Sequence, residues 1–233
     1  AVLGLGLGYQ DREFERFNVP RSERVQRLID AINICKRAWK GDVFSYNGKT
    51  VQYTSIRVTP TPENPDGVPI VVGCFAEPAV RRAARLTDGF LAPSKVPREG
   101  VLERQQWGHE SAPDPDEFRT HVLRDTYLGD SPDDAWASVE DSVMYTNRKI
   151  YEAFQNCSDE VDIPYPTEDY LRSNALCGNP SQLVDQVLAF ADLMSSRDQM
   201  IFRLEYPGLP HDQVMENLER MGKEVLPDVR GRL

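Results

Sequence analysis

Apolar and polar positions follow two periods along the chain, one typical of strands and the other of helices. Residues 1–7 predict a first strand, and the fully apolar run at residues 69–73 has the composition of a strand buried on both faces. Between them, apolar residues recur at helical spacing from Arg21 to Lys40, directly after Pro20. A strand, a helix and a second apolar strand in this order predict a parallel sheet with helical crossovers.

The same order repeats to the end of the chain. Ser131 has the residue type of a helix N-cap, and Asp133 and Asp134 follow it where acidic side chains favour the positive end of a helix. We predict further helices at 78–86, 131–154, 180–194 and 211–225, further strands at 89–92, 121–128 and 199–204, and a loop from 155 to 177. The chain therefore contains about five strand–helix units.

Two regions interrupt this order within what we expect to be a single domain, residues 1–233. In the first, residues 41–68, the pair Asn47-Gly48 separates two short strands, which predicts a surface hairpin whose two central residues have positive φ. In the second, residues 95–118, proline, glycine and charged residues are frequent. We expect a loop region there, with one short helix around 100–106.

A closed barrel of parallel strands needs eight strand–helix units, more than the chain contains. We therefore expect an incomplete, N-terminally truncated α/β barrel whose first three strands precede Ala1. The start inside a strand, without an initiator methionine, agrees with this expectation. The open edges of such a sheet present unpaired backbone groups, which favours association into a homo-oligomer.

Charge and composition narrow the range of partners. The 37 acidic residues exceed the 27 basic ones, giving a net charge of −10, so we expect no nucleic-acid partner and no anionic membrane surface. No apolar run approaches the ~18 residues of a membrane span, and we expect a cytoplasmic protein. The cysteines form no CxxC pair and the histidines stand apart, so we expect no metal site.

Several segments, taken together and in order, resemble the luciferase-like monooxygenases, the flavin-dependent oxidoreductases similar to bacterial luciferase. The first is GLGLGY at residues 4–9, and the most diagnostic is GCFAEPAVRRAAR at residues 73–85 with Asp88-Gly89-Phe90 shortly after it. The others are Gly178-Asn179-Pro180, Tyr206-Pro207-Gly208 and Glu224-Val225-Leu226-Pro227. The resemblance spans nearly the whole chain, and the order and spacing of the segments carry it.

The resemblance implies a TIM (β/α)8 barrel and an enzyme that uses reduced flavin for oxygen insertion or for hydride transfer to a small organic substrate. The implied cofactor is FMN, with the 8-hydroxy-5-deazaflavin coenzyme as the alternative. Free flavin or a flavin reductase would be the source of electrons. The identity of the catalytic residues stays open, because some of the family's flavin contacts come from the first three strands of the barrel.

The cofactor-binding residues that we expect lie at two strand ends. A glycine lets the backbone approach a ligand closely, and the free N–H groups at the start of a helix attract a phosphate. The expected residues are Leu7, Gly8, Tyr9, Gly73, Cys74, Phe75, Ala76 and Ala79. Cys74 and Ala76 depart from the family's commoner Gly and Ser, so phosphate binding would depend on backbone amides. A tightly packed strand end and a plain helix cap are the structural alternatives.

At the last strand, Arg203 and Glu205 alternate with apolar residues, which predicts that both charges share one face and approach the mouth of the site together with Tyr206. An ion pair that only closes the barrel is the alternative for these charges. Two other functions also stay open for the chain: a non-catalytic family member that has lost its cofactor, and an unrelated barrel enzyme acting on a phosphorylated metabolite.

Overall fold

Parallel strands followed by helices make up the computed structural model of the protein, which describes residues 1–150 and 166–233. The chain forms two compact units. Unit 1 consists of Ala1–Leu91 and Gln106–Arg119, and unit 2 of Ala92–Gln105 and Thr120–Leu233. Each unit contains parallel strands and buried apolar residues of its own.

Unit 1 combines three parallel strands with a separate hairpin. Its strands are β1 (Leu3–Leu5), the hairpin strands β2 (Phe44–Asn47) and β3 (Gln52–Ile56), then β4 (Ile70–Gly73) and β5 (Gly89–Ala92, in unit 1 up to Leu91). β4 lies between β1 and β5 and is parallel to both. Its first three residues are buried, as a continuous apolar run predicts for a strand covered on both faces. The helices are α1 (Asp11–Arg16), α2 (Arg24–Ala38, after a 3₁₀ turn at Arg21–Glu23) and α3 (Glu77–Leu86).

The β2–β3 hairpin differs from the prediction in its turn. The strands are joined by the four residues Gly48–Val51, and neither Asn47 nor Gly48 has positive φ. A Cβ atom at Gly48 would lie 2.5 Å from the ring of Tyr46 and 2.8 Å from the carboxylate of Asp30. Glycine is therefore required at this position because the loop passes directly over another side chain, and the expected two-residue turn was wrong.

Asp30 attaches this hairpin to α2. Its carboxylate is buried and accepts hydrogen bonds from Gln26 Nε2 (3.1 Å), Tyr46 Oη (3.0 Å), Thr50 N (2.9 Å) and Thr50 Oγ1 (2.6 Å). Burial raises the pKa of this carboxyl, but the hydrogen bonds from Thr50, Gln26 and Tyr46 outweigh burial and lower its pKa to about 2. Asp30 is therefore ionised at neutral pH and holds both hairpin and helix.

Unit 2 contains a long strand that pairs with two short ones. β6 (Arg119–Leu128, in unit 2 from Thr120) pairs in parallel with β8 (Gln199–Arg203) along its first half and with β7 (Leu176–Gly178) at its end. The helices are α4 (Arg98–His109, in unit 2 up to Gln105), α5 (Pro132–Ala137), α6 (Glu140–Tyr145), α7 (Glu168–Asn174), α8 (Pro180–Ala191), α9 (His211–Arg220) and α10 (Leu226–Arg232).

Two predicted elements of unit 2 have different extents. The helix predicted at 131–154 is divided into α5, α6 and a π-helical turn at Thr146–Ile150, and its last four residues lie outside the described part of the chain. Ser138 contributes to the break, since its hydroxyl donates to the carbonyl of Ala135 and competes with the helix backbone. The predicted loop contains α7 and β7 in its described portion, so β7 adds a sixth parallel strand to the five predicted.

The core of unit 2 lies around an aromatic group beside β6 and β7. Tyr127 packs edge-on against Trp136, with ring centroids 6.1 Å apart, and at the same separation against Tyr206. Full burial of an aliphatic or phenylalanine side chain contributes roughly 1.5–3 kcal/mol. The other buried members of this core are Ala135, Val139, Val143, Leu171 and Cys177.

An aspartate that directly precedes a strand joins neighbouring strands at their amino ends in both units. In unit 1, Asp88 Oδ2 accepts from the backbone N–H of Ile70, the first residue of β4 (2.8 Å). In unit 2, Asp198 Oδ1 accepts from the backbone N–H of Thr120, near the start of β6 (2.6 Å). Each carboxylate thereby satisfies a buried or part-buried amide at the end opposite to the carboxyl ends of the strands.

Candidate functional site

The carboxyl ends of β1 and β4 lie side by side in unit 1. Their parallel register pairs Leu3 with Ile70 and Leu5 with Val72. Residues 6–9 and 74–76 therefore leave the sheet at the same edge, the edge at which barrel enzymes bind their ligands. Seven of the eight expected cofactor residues belong to these two segments or to the strand ends themselves.

The segment after β1 turns sharply at Gly8. Its φ of +72° is costly for other residues, and a Cβ atom there would lie 3.1 Å from the ring of Phe14. Leu7 before it is half-buried, whereas Tyr9 after it is 47% exposed. The turn therefore presents an aromatic side chain at the edge where β1 ends.

The segment after β4 leads directly into α3. Gly73 is exposed at the strand end, Cys74 is buried, and Phe75 is 60% exposed. Ala76 is the N-cap of α3 with an extended backbone (φ −78°, ψ 145°), and its methyl group provides no side-chain cap. Ala79, the eighth expected cofactor residue, is half-buried in the first turn of α3.

The first turn of α3 offers fewer amide donors than an average helix start. Pro78 has no N–H, and the N–H groups of Ala79 and Val80 both donate to the carbonyl of Ala76 (2.9 and 3.1 Å). The Glu77 amide is therefore the helical donor that an anion can use here, together with the amides of the preceding loop. The positive end of the helix dipole adds to their attraction.

The carboxylate of Glu77 is held by α3 itself. Its Oε1 accepts from Arg81 Nε (2.7 Å), and the same guanidinium reaches Glu110 Oε2 (2.9 Å) and Ser111 Oγ (3.1 Å). The hydrogen bond that Arg81 donates to Glu77, followed by the one that it donates to Glu110, raises the pKa of Arg81. Arg81, which Glu77 shares with Glu110, thus offsets part of the negative charge that would repel an anion at the start of α3.

A second group of polar side chains lies in unit 2, beyond the end of β5 and at the last residue pair in the register of β6 against β8. The register of β6 and β8 pairs Asp125 with Arg203, and Arg203 Nε donates to Asp125 Oδ1 (2.6 Å). Arg203 also donates to Ser94 Oγ (3.3 Å) and to the hydroxyl of Tyr206, and lies 4.4 Å above the Tyr206 ring. Together with Lys95, which interacts electrostatically with Asp125, these residues form what we call the Asp125 cluster.

Burial dominates the acid–base properties of the Asp125 cluster. It lowers the pKa of Lys95, an effect that Asp125 opposes and Arg203 reinforces. Burial and then Asp125 raise the pKa of Tyr206, whose phenol is therefore neutral at pH 7 and can act as a hydrogen-bond donor. Nearby, burial raises the pKa of the Cys177 thiol to about 12, so this cysteine is not a nucleophile at neutral pH.

Of the three residues expected at the mouth of the site, Arg203, Glu205 and Tyr206, the structure brings two into contact. Arg203 and Tyr206 are in contact, but β8 ends at Arg203 and Glu205 is exposed beyond it. The partner of Arg203 is Asp125, which the sequence analysis did not single out. A signal was present, because Arg124 and Asp125 place two adjacent charges inside a strand that is otherwise apolar or uncharged from Thr120 to Leu128.

Helical crossovers between parallel strands, with polar and aromatic groups where the strands end, define an α/β protein of the barrel-enzyme class. The chain belongs to the luciferase-like monooxygenase family, whose profile matches residues 1–197. This membership confirms the resemblance seen in the sequence and rules out an unrelated barrel enzyme. Within the described residues, no helix is long and apolar enough to span a membrane, and no cluster of three potential ligands is arranged to hold a metal ion.

The relatives of the chain include enzymes of two kinds and an uncharacterised protein. The oxygenase component of the flavin-dependent trigonelline monooxygenase of Acinetobacter baylyi is 25% identical, over 97% of this chain and 66% of its own length. An F420-dependent glucose-6-phosphate dehydrogenase of Nakamurella multipartita is 26% identical, over 98% of the chain and 68% of its own length. An uncharacterised protein of Mycobacterium bovis is 32% identical over 52% of the chain and 42% of its own length. The chain thus spans less than two thirds of the length of the first and third of these relatives.

Solved structures share the fold at low sequence identity. A monooxygenase from Streptomyces bottropensis superposes with a TM-score of 0.79 at 17% identity, over 97% of this chain and 68% of that one. The oxygenating constituent of 3,6-diketocamphane monooxygenase from Pseudomonas putida, solved in complex with FMN, gives a TM-score of 0.70 at 16% identity, over 98% and 70%. These likenesses establish the luciferase-like α/β barrel fold. Both cofactors that the resemblance implied occur among the relatives and structural neighbours.

Proposed function

We propose that the chain acts as, or within, a flavin-dependent oxidoreductase that binds FMN and uses its reduced form for oxygen insertion into, or hydride transfer to, a small organic substrate. The alternative cofactor is the 8-hydroxy-5-deazaflavin coenzyme. When bound, either cofactor supplies the electrons for the reaction. The observation that carries the proposal is the common edge at which β1 and β4 end, with the N-terminus of α3 directly after β4.

In this proposal, the segment Gly73–Ala79 holds the phosphate of the cofactor. The Glu77 amide, the loop amides and the dipole of α3 supply the attraction, and Arg81 offsets part of the opposing charge of Glu77. The positive φ of Gly8 turns the chain so that Tyr9 stands at the same edge as Phe75. Two exposed aromatic side chains there fit a planar ring system, which stacks on such faces.

The Asp125 cluster is the proposed substrate-side group of unit 2. It contains two cations, Lys95 and Arg203, and one carboxylate, with the neutral phenol of Tyr206 beside them. Such a group favours a substrate that carries an acidic function or a strong hydrogen-bond acceptor. Glu205, exposed beyond β8, would then face solvent or a bound molecule at the rim.

The electron source in this proposal is free reduced flavin or a separate flavin reductase. A relative that is named as the oxygenase component of a monooxygenase supports a division of labour of this kind. Catalytic residues are not assigned in the chain.

The test is a binding titration of the complete gene product, and of residues 1–233, with FMN, riboflavin and the deazaflavin coenzyme. Riboflavin lacks the phosphate, so it should bind at least tenfold more weakly than FMN if the amides of Gly73–Ala79 contribute about 1.4 kcal/mol or more. Equal affinities for FMN and riboflavin would exclude this segment as the phosphate site. If the complete protein binds none of the three compounds, a non-catalytic family member without cofactor replaces the proposal.

Substitution of Ala76 sharpens the same test. Ala76→Ser adds a hydroxyl donor beside the anion, and a hydrogen bond to a charged group contributes about 1.5–3 kcal/mol, so FMN affinity should rise tenfold or more. Ala76→Asp places a like charge there and should weaken binding. The matched control is Ala137→Asp, an exposed alanine of α5, which should leave FMN affinity unchanged.

A further inference from the structure

Between β5 and α4, the three residues Ser94–Val96 form an irregular segment whose carbonyls are bound by side chains. Arg124 Nη1 donates to the carbonyl of Ser94 (3.4 Å), and Arg124 Nη2 donates to that of Val96 (2.7 Å). The hydroxyl of Tyr170 in α7 donates to the intervening carbonyl of Lys95 (2.7 Å). Three successive carbonyls thus accept hydrogen bonds from two side chains.

Arg124 is buried as part of this arrangement. Its side chain is 1% exposed and its guanidinium carbon lies 4.5 Å from the centre of the Phe190 ring of α8. Burial lowers its pKa to about 10, although Asp125 opposes this effect, so the guanidinium remains charged at neutral pH. Burying a charged group is costly unless it is hydrogen-bonded, and here the backbone carbonyls of Ser94 and Val96 accept from the guanidinium.

The two faces of β6 connect this arrangement to the Asp125 cluster. Successive residues of a strand point to opposite faces, so Arg124 and Asp125 point away from each other. Arg124 binds the backbone of Ser94–Val96, while Asp125 binds Arg203, which in turn contacts the hydroxyl of Ser94. The backbone of Ser94–Val96 is therefore bound by a residue on one face of β6, while the side chain of Ser94 contacts the Asp125 cluster on the other face.

We propose that Arg124 and Tyr170 are positioning residues, whose hydrogen bonds to the Ser94–Val96 backbone hold Ser94 and Lys95 against the Asp125–Arg203 pair. By holding this backbone, they determine the position of the Lys95 ammonium within the Asp125 cluster, the group that we propose contacts the substrate. The effect of Arg124 and Tyr170 on substrate binding rests on the proposed function, whereas their effect on the position of Ser94 and Lys95 does not.

The test measures the titration of Lys95 in the protein without any ligand. Lys95 is acetylated by brief pulses of acetic anhydride over a range of pH and quantified by mass spectrometry, with the exposed Lys40 and Lys49 as internal references. The charged groups that act on Lys95 are Asp125 of β6 and Arg203 of β8, and with burial their net effect lowers its pKa. Release of the segment removes that net effect, so the midpoint should move up, toward an ordinary lysine.

Tyr170→Phe is the principal variant, because Tyr170 is 42% exposed and its loss leaves the core intact. Arg124→Lys is the second variant, since a lysine cannot reach both carbonyls in the same way. The matched controls are Tyr53→Phe, at an exposed tyrosine, and Arg57→Lys, at an arginine whose Nε donates to the carbonyl of Gly41 (2.7 Å) in unit 1. Both controls should leave the Lys95 midpoint unchanged.

An upward shift in Tyr170→Phe, and in Arg124→Lys if that variant folds, with unchanged controls, supports the proposal. An unchanged midpoint in Tyr170→Phe, or an equal shift in the controls, overturns it. FMN affinity is measured alongside and should be unaffected by Tyr170→Phe, because the Tyr170 hydroxyl donates to the Lys95 carbonyl and not to the proposed phosphate segment. Absence of FMN binding in the unsubstituted protein would defeat the proposed function alone, since the Lys95 midpoint still decides the positioning.

Discussion

Asp30 in unit 1 and Asp125 in unit 2 are both buried carboxylates, 2% and 7% exposed, yet their surroundings differ. Asp30 is surrounded by neutral donors, namely an amide side chain, two hydroxyls and a backbone N–H. Asp125 is bound by the guanidinium of Arg203. The carboxylate of Asp30 is thus stabilised by neutral hydrogen-bond donors, and that of Asp125 by an opposite charge.

The difference indicates what each carboxylate does. The donors around Asp30 come from α2, β2 and the loop between β2 and β3, so the carboxylate joins elements that are near in sequence and leaves no charge for a ligand. Arg203, by contrast, keeps 30% of its side chain exposed while it binds Asp125. An ion pair with one accessible partner can also interact with a substrate. Asp30 therefore has a structural role, and Asp125 supports the group proposed for binding.

The largest effect should follow from removal of one partner of the ion pair. Arg203→Leu leaves Asp125 buried without its counter-charge, which should reduce the free energy of unfolding by about 3–4 kcal/mol. Urea unfolding monitored by tryptophan fluorescence measures it. The double variant Asp125→Leu/Arg203→Leu should recover most of the loss, because two apolar side chains replace two charges. As a control, Arg232→Leu removes the exposed pair with Asp185 and should cost no more than about 0.5 kcal/mol. A double variant as unstable as the single one would contradict this account.

A smaller effect is expected at Asp30. In Asp30→Asn, one acceptor oxygen becomes an amide donor, so either the donors at Oδ1, from Gln26 and Tyr46, or those at Oδ2, from Thr50, lose their acceptor. Unsatisfied buried donors cost about 1–3 kcal/mol, and we expect a loss of about 2 kcal/mol in the free energy of unfolding. Hydrogen exchange should locate the change in the β2–β3 hairpin and α2. Faster exchange in unit 2 instead would show that Asp30 does not act locally.

The smallest effect is the pH dependence of the same contact. The pKa of Asp30 lies near 2, below its ordinary value of 3.8, so its stabilising effect is complete above about pH 4 and is lost as the pH falls toward 2. Allowing for solvent screening, the contribution is about 1–2 kcal/mol. The difference in unfolding free energy between the unsubstituted protein and Asp30→Asn should shrink by this amount between pH 5 and pH 2.5. Asp185→Asn, at an exposed aspartate, is the control. A constant difference over this range would refute the assigned cause.

The sequence predicted the elements that depend on local patterns. The apolar run that became β4, the helix α3 after it and the strand β6 follow from periodicity and burial alone. The turn of the hairpin did not follow, because Gly48 makes room for Asp30, and the loop that contains it is fixed by a bond between positions 20 residues apart. β7 was missed because three residues after a proline-containing stretch become a strand only by pairing with the end of β6.

The candidate site divides in the same way. Family order and glycine positions indicated the segments after β1 and β4, since each lies within a few residues of its strand. The alternation of Arg203 with Glu205 did not indicate Asp125, because that partner lies 78 residues away and is fixed by the register of β8 against β6. Pro78 in the sequence already indicates that one N–H donor is missing from the start of α3. Only the backbone geometry shows that the N–H groups of Ala79 and Val80 are bound to the carbonyl of Ala76.

Asp88 and Asp198 bear on how this protein can change over evolutionary time. Both fix strand starts at the end of the strands opposite to the proposed binding groups, and neither contacts a residue of those groups through the hydrogen bonds described. Substitutions that alter substrate preference at the carboxyl ends therefore leave these attachments in place. New specificities can accumulate in the loops after β1, β4, β5 and β8 while the amino ends preserve the alignment of the strands, so the two ends of the same strands evolve under separate constraints.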